Sequence, residues 1–176
     1  MEVLILDARQ FDAARAALID ILADAVGHGA SVGFMADLTQ AEAAAYWDKV
    51  GTGVMSGERV LWGARLDGRL VGTVQLELCQ RRNGANRAEV QKLLVHSTAR
   101  RRGVASALMS ALERQALSLQ RGLLYLDTEA GSPAEDFYRA HGYRCIGGLP
   151  EFACSPDGRW GANAIYYKTL FSRSQE

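Results

Sequence analysis

RAEVQKLLVHSTARRRGVASALMSAL, residues 87–112, starts with a strand-like run, ends with a helix-like one, and carries three arginines and a glycine between them. Residues 87–95 read as a strand. After Gly103, residues Val104, Leu108, Ala111, Leu112 and Gln115 or Leu119 recur at helical spacing along one face. A strand ending at Val95 and a helix starting near Gly103 aim the free N–H groups of the helix into the connecting loop, where their partial positive charge favours an anion. Gly103 lets backbone come close to a ligand, small Ala105 and Ser106 keep the next turn open, and Arg100, Arg101 and Arg102 add full charges. A pyrophosphate would fit this loop. A solvated basic turn is the alternative that the run alone leaves open.

Working outward, residues 2–7 read as a strand, followed by a helix with Ala14, Ala17, Leu18, Ile21, Leu22 and Ala25 on one face that ends at GHGAS, residues 27–31. Thr39-x-x-Glu42 is a capping box and opens a second helix that runs to about Gly51 or a little beyond. The period then changes. RVLWGARL (59–66) and LVGTVQLELC (70–79) flank Asp67-Gly68 and predict a hairpin, with 87–95 as the third strand of an antiparallel run. GLLYLDT (122–128) predicts a strand, Pro133 suits the first turn of a helix, and YRCIGG and ANAIYYKTLF predict two closing strands. The order predicts one α/β domain over residues 1–176: a mixed, mostly antiparallel sheet with helices on both faces.

Composition narrows the function. A chain of 176 residues, 48% hydrophobic with a formal net charge of zero, can bury one good core. Balanced charge, with one local basic run and no aromatic stacking platform, argues against a nucleic-acid partner. No segment has the roughly 20 uncharged apolar residues of a membrane span, and no signal peptide is evident, so a cytoplasmic location is expected. Cys79, Cys145 and Cys154 form no CxxC pair and no metal cluster with His28, His96 and His141; they read as reduced, mostly core thiols, and no metal is expected. Each histidine reads as surface or structural. The closing strands could form an edge or an interface, which leaves monomer and homodimer both open.

Two familiar phosphate loops are excluded. There is no Gly-Lys pair, hence no Walker loop, and no G-x-G-x-x-G opens a parallel βαβ unit. Arg100-x-x-Gly103-x-Ala105 instead matches the Q/R-x-x-G-x-G/A signature of the GNAT N-acetyltransferase superfamily, and the order of elements resembles that family as well. GASVGFMADL (29–38), NRAEVQKLLV (86–95), RGLLYLDTEAGSPAEDFY (121–138) and PDGRWGANAIYYKTL (156–170) resemble the tabtoxin-resistance acetyltransferases over nearly the whole chain. That resemblance implies transfer of an acetyl group from acetyl-CoA to the amine of a small amino-acid-like substrate, a tabtoxinine-type β-lactam being the named candidate. A peptide N-terminus, a polyamine or another antibiotic would keep the cofactor and change the acceptor; a non-catalytic acyl-CoA sensor is the alternative from another class.

The resemblance also implies site residues. The pantetheine arm would lie along Leu93, Leu94 and Val95, and the pyrophosphate would rest on Arg100, Arg101, Arg102, Gly103, Val104, Ala105 and Ser106. Ser132 stands where many relatives place a cofactor-binding asparagine, and Ala105 replaces the second signature glycine. Tyr138, in AEDFYRAHGY, is expected to protonate the departing thiolate, with ring packing beside Phe137 as its structural alternative. Alternation puts Tyr125 and Asp127 on one face of their strand and Glu89, Gln91 and Leu93 on one face of theirs. If the two strands are neighbours, Asp127 and Glu89 can attract the ammonium of a substrate and take its proton. Capping the next turn is the structural alternative for Asp127, and a solvent-facing charge or a partner for an arginine that for Glu89. Phe34 and Met35, in the loop between the first two helices, are expected to line the acceptor pocket, whereas Trp47 reads as core.

Overall fold

The computed structural model describes residues 1–172. Strand β1 (Glu2–Ile5) leads into helix α1 (Ala8–Gly27) and helix α2 (Gln40–Met55). Both helices open with a capping box: Asp7 with Gln10, and the expected Thr39 with Glu42. Strands β2 (Arg59–Leu66), β3 (Arg69–Leu78) and β4 (Arg87–Val95) follow, then helix α3 (Val104–Ser118), β5 (Leu123–Glu129) and helix α4 (Pro133–Ala140). Strands β6 (Arg144–Gly147) and β9 (Asn163–Thr169) close the chain, and between them lies a two-stranded ribbon, β7 (Ala153–Cys154) with β8 (Trp160–Gly161). Nothing in the alternation of residues 148–161 had suggested that ribbon.

The main sheet runs β1-β2-β3-β4-β5-β9-β6. Every pair is antiparallel except β4 with β5, which is parallel and pairs only at Arg87 with Leu123, Ala88 with Leu124 and Glu89 with Tyr125. Beyond Glu89 the two strands separate, and the sheet opens into two arms.

Two cores cover the two faces. Trp62, Val74, Leu76, Ala88, Val90, Leu124, Leu126 and Tyr166 of the sheet meet Val104, Leu108, Met109 and Leu112 of α3. On the other face Leu18, Ile21, Leu22, Trp47 and Val50 of α1 and α2 pack on Leu6, Leu61 and Leu94. Trp47 is fully buried, as expected of a core residue. The cysteines differ from expectation: all three are free, but Cys145 is exposed and Cys79 and Cys154 are only half-buried, so none belongs to the core. Cys145 lies on β6, an edge strand whose four residues are all solvent-exposed.

Alternation fails at one place in β4. Thr73 pairs with Leu94 but Gln75 pairs with Gln91, so β4 carries one extra residue in this interval. Lys92 takes the strain with φ 49°. Such a bulge sends consecutive side chains to one face and bends the strand. In consequence Leu94 joins the α1/α2 core while Leu93 packs on the α3 side with Val95. The expectation that Leu93 shares a face with Glu89 and Gln91 is thereby corrected: a period of two holds only as far as the bulge.

The close approach of α3 to the sheet rests on Gly72. A Cβ there would sit 2.8 Å from Val104 Cγ1 and 3.1 Å from the Leu94 carbonyl oxygen. Gly72→Ala is therefore expected to destabilise the fold by about 1–3 kcal/mol, the usual range for overpacking, read as a lower urea midpoint at unchanged slope.

Candidate active site

The opening between the arms is a cleft of about 1440 Å³. Its walls come from both sides of the split: Glu89 to Leu94 of β4, Asp127 to Glu129 of β5, and Ser132 to Ala134 with Tyr138 at the start of and within α4. Residues 28–33 after α1, with Tyr46 on α2, close one side, and Arg100 reaches the other end. From Val90 onward, the β4 edge that faces β5 has no ladder partner among the described residues. Backbone N–H and C=O groups left unpaired on a partly buried strand need a partner, and an extended ligand arm would supply one. The cleft is a cradle for such an arm.

The basic loop sits at the head of α3. Gly103 caps the helix in the left-handed region, φ 78°, and Arg101 also has positive φ, 61°. No side chain among the described residues caps the helix, so its first N–H groups stay available to an anion. Arg100, Arg101 and Arg102 are all exposed; Arg102 lies 4.0 Å from Asp67 of the β2–β3 turn, a surface contact of little energetic weight. Val104 is buried in the core, and the Ser106 hydroxyl is within 3.0 Å of His141 Nε2 while His141 Nδ1 meets the Phe137 carbonyl at 2.8 Å. His141 thus ties α4 to the first turn of α3, a structural use. Ser132 lines the cleft, with its hydroxyl donating to the Glu129 carbonyl at 2.7 Å. Among the residues assigned to the cofactor, Leu93, Leu94, Arg100 and Ser132 are in the cleft wall; Val95, Arg101, Arg102, Gly103, Val104, Ala105 and Ser106 continue away from it into the loop and helix. A tail with a pyrophosphate at one end and a thioester at the other fits this division.

Asp127 and Glu89 do come together in one cleft, because β4 and β5 are neighbours in register. Tyr125, beside Asp127 on the same face, donates its hydroxyl to Glu89 at 3.2 Å. Its proton is held above the ordinary phenol range, first by burial and then by the Glu89 charge. Asp127 is exposed to the cleft and accepts no hydrogen bond from the described residues. Tyr138 is 8% exposed, stacked edge-on against Phe137 and Tyr143, and still lines the cleft. Burial, reinforced by the Asp127 charge, raises its pKa far above the normal phenol value, so it stays protonated at neutral pH.

Phe34 and Met35 are not in the cleft wall. Phe34 packs edge-on against Tyr46, 5.4 Å between ring centroids, on the α1/α2 core, and Met35 is exposed to solvent. The loop does reach the cleft, but through His28 to Gly33: Ala30 and Val32 are half-buried, and Gly33 turns the chain away with φ 89°.

Three groups of the site escaped the reading of the sequence. On the sheet floor, Arg59 donates to Gln75, to Gln91 at 2.9 Å and to Glu77 at 2.6 Å; Gln91 donates to Glu77 at 2.9 Å; and Gln75 donates to the Tyr46 hydroxyl at 3.0 Å. The signal was the run of polar residues on alternate positions of β3 and β4, Gln75, Glu77, Glu89 and Gln91, on a face otherwise due to be apolar. Lys92 projects into the same cleft from the bulge, 5.6 Å over the Tyr46 ring. Nothing local marks a bulge there. Asp24, on α1, binds Ser97 just before the basic loop: the Ser97 N–H and hydroxyl each donate to its carboxylate at 2.7 Å. Only the folded chain brings residues this far apart together.

Burial works to raise the Asp24 pKa, but the two Ser97 bonds, with His96 and His28 nearby, outweigh it and hold the carboxyl below its usual range. A group whose folded pKa is depressed stabilises above its unfolded pKa, about 3.9 for Asp, and loses that contribution as pH falls through the lower, folded value. Asp24→Asn is therefore expected to cost about 1–3 kcal/mol at pH 7. The gap from wild type should narrow below about pH 4 as the wild-type carboxylate takes up its proton, a trend that urea midpoints at several pH values would read.

Comparison with known proteins agrees with this geometry. The model of the Acetyltransferase (GNAT) family matches residues 16–143, from α1 through α4 and the turn after it. The fold is similar to ribosomal-protein-alanine N-acetyltransferase from Brucella melitensis, with a TM-score of 0.81 at 20% identity over 97% of this chain and 100% of that one. It is similar to YncA from Salmonella typhimurium with its cofactor acetyl-CoA, at 0.80 and 17% over 100% and 97% of the two chains. The aminoglycoside 6'-N-acetyltransferase complexed with coenzyme A scores 0.72 at 20% identity, over 99% and 100%. With the split between β4 and β5, the uncapped α3 behind an arginine loop and a family match across most of the chain, this protein belongs to the GNAT family of acetyltransferases.

Proposed function

We propose that this acetyltransferase acetylates the amine of a small amino-acid-like substrate, with a tabtoxinine-type β-lactam as the first acceptor to test. The observation that carries the reading is the meeting of Asp127, Glu89 and Tyr138 in the cleft that runs on to the arginine loop. The resemblance of four sequence blocks to the tabtoxin-resistance enzymes supports the choice of acceptor.

Acetyl-CoA, when bound, supplies an activated acetyl group and a thiolate that can leave. The chain supplies the rest. Arg100 to Arg102 and the N-terminus of α3 would hold the pyrophosphate, and the edge of β4 after Glu89, which has no ladder partner among the described residues, would pair with the amide-bearing arm. N–H groups of that edge would polarise the thioester carbonyl. Asp127 and Glu89 draw in the ammonium of the acceptor. Asp127, which accepts no hydrogen bond from the described residues, takes its proton, directly or through water, while Glu89 is kept in place by Tyr125. The neutral amine would bond to the acetyl carbon as the C–S bond breaks, and Tyr138 would give its proton to the departing sulfur. Its raised pKa means that it gives up this proton only as negative charge builds on sulfur, since a free thiol near 8.5 is the stronger acid.

Release of free thiol from acetyl-CoA tests the reading, with tabtoxinine-β-lactam, common amino acids, polyamines and short peptides as parallel acceptors. Selective release with the β-lactam amino acid is the expected result; release only with peptides or polyamines moves the acceptor, and no release from any amine removes the catalytic reading. Tyr138→Phe should lower kcat by about 100-fold and leave the KM for acetyl-CoA nearly unchanged. Equal turnover in mutant and wild type would remove Tyr138 as the acid. Asp127→Asn should cost more in kcat than Glu89→Gln, whose effect should fall mainly on the KM for the amine.

A further inference from the structure

Lys92 is out of place by ordinary rules. It is half-buried in a cleft, on a bulge that costs the strand a regular ladder, and its ammonium makes no hydrogen bond or ion pair within the described residues. Its ammonium hangs over the Tyr46 ring, a ring held in place because Gln75 donates to its hydroxyl and Phe34 and Trp47 pack against its edges. The other cation of the floor, Arg59, is already committed to Glu77, Gln75 and Gln91. Lys49 also borders the cleft, but from the exposed side of α2. Lys92 is thus the one half-buried lysine of the cleft wall with its donors unspent.

Its surroundings say what it can receive. Burial, with the Arg59 charge beside it, disfavours the charged form of Lys92 and holds its pKa below the ordinary lysine value, although Asp127 and Glu89 are close enough for their charges to favour that form. Negative, positive and negative groups therefore share the acceptor end of the cleft. A ligand with an ammonium alone would meet repulsion from Lys92, and a polyamine would meet more of it. A ligand with an ammonium and a carboxylate a few ångströms apart matches the pattern: the ammonium goes to the acids and the carboxylate to the lysine, in a charge-assisted hydrogen bond. The bulge is what makes this possible, since a regular β4 would send residue 92 to the α3 core and keep it from the cleft.

We infer that Lys92 binds the carboxylate of a zwitterionic acceptor and so makes this site selective for free amino acids over amines and amides. The inference rests on the acceptor end of the cleft proposed above.

The experiment is paired. Binding of L-amino acids, tabtoxinine-β-lactam included, and of the carboxamides of the common ones is measured by calorimetry on the full chain saturated with coenzyme A; thiol release from acetyl-CoA is measured with the same compounds. Wild type should bind the acids at least about tenfold more tightly than the carboxamides, in keeping with a charge-assisted bond. Lys92→Met should erase that difference by weakening the acids alone, and Lys92→Arg should retain it. Equal binding of acid and carboxamide by wild type, or binding of none of the acids, overturns the inference without need of any variant. A Lys92→Met protein that loses both classes in the same ratio overturns it too, because Lys92 would then act only on its neighbouring carboxylates. The two readings separate cleanly: acids preferred in binding with no thiol release leaves the zwitterion site and removes acetyl transfer to these acceptors, whereas thiol release with acids and carboxamides alike keeps the transfer and removes the role of Lys92.

Discussion

Everything at the cleft depends on β4 and β5 parting company. Two parallel strands that pair for three residues and then separate leave backbone donors and acceptors on each edge with no partner. In a solvent-shielded groove that is costly unless something else satisfies them. The fold tolerates it because each arm is held independently: β4 by β3 and by α3 beneath it, β5 by β9 along all seven of its residues. The gap is kept open by cores on either side and is free to receive an extended ligand as a substitute strand.

The bulge in β4 belongs to the same construction. One extra residue at Lys92 turns Leu94 toward the α1/α2 core and Leu93 toward α3, so the strand is anchored on both faces just where it loses its neighbour. The α1/α2 face of the sheet is then polar where it meets the cleft, with Arg59, Glu77, Gln75 and Gln91 bonded to one another and Asp127 and Glu89 turned to the opening. A network that is satisfied internally adds shape and little free charge. The groups left over, two carboxylates, a lysine and the Tyr138 phenol, are those with chemistry to offer.

The loop of three arginines is held from two directions. Asp24 binds Ser97 at its start, and His141 binds Ser106 at its end. Two of the histidines stand beside these ties: His141 between α4 and α3, and His96 beside Asp24. An anion loop needs its N–H groups aimed, and aiming comes from contacts outside the loop.

The sequence by itself determined the order of the main elements, the helix starts at the Thr39 capping box and at Pro133, the hairpin at Asp67-Gly68, the basic loop, and the placing of Asp127 and Glu89 on faces that meet once their strands are neighbours. Each rests on local rules: a period, a cap, a turn residue, a helix dipole. The tertiary structure decided what those rules do not carry. It put β9 between β5 and β6, added the ribbon within residues 148–161, set Phe34 edge-on against Tyr46 and left Met35 in solvent, and broke the alternation of β4 at Lys92. It also brought Asp24 to Ser97 and Arg59 to Gln91. The physical reason is common to all: a bulge, a bridging carboxylate or a buried ring is chosen by what packs against it from elsewhere in the chain, and no window of neighbouring residues contains that information.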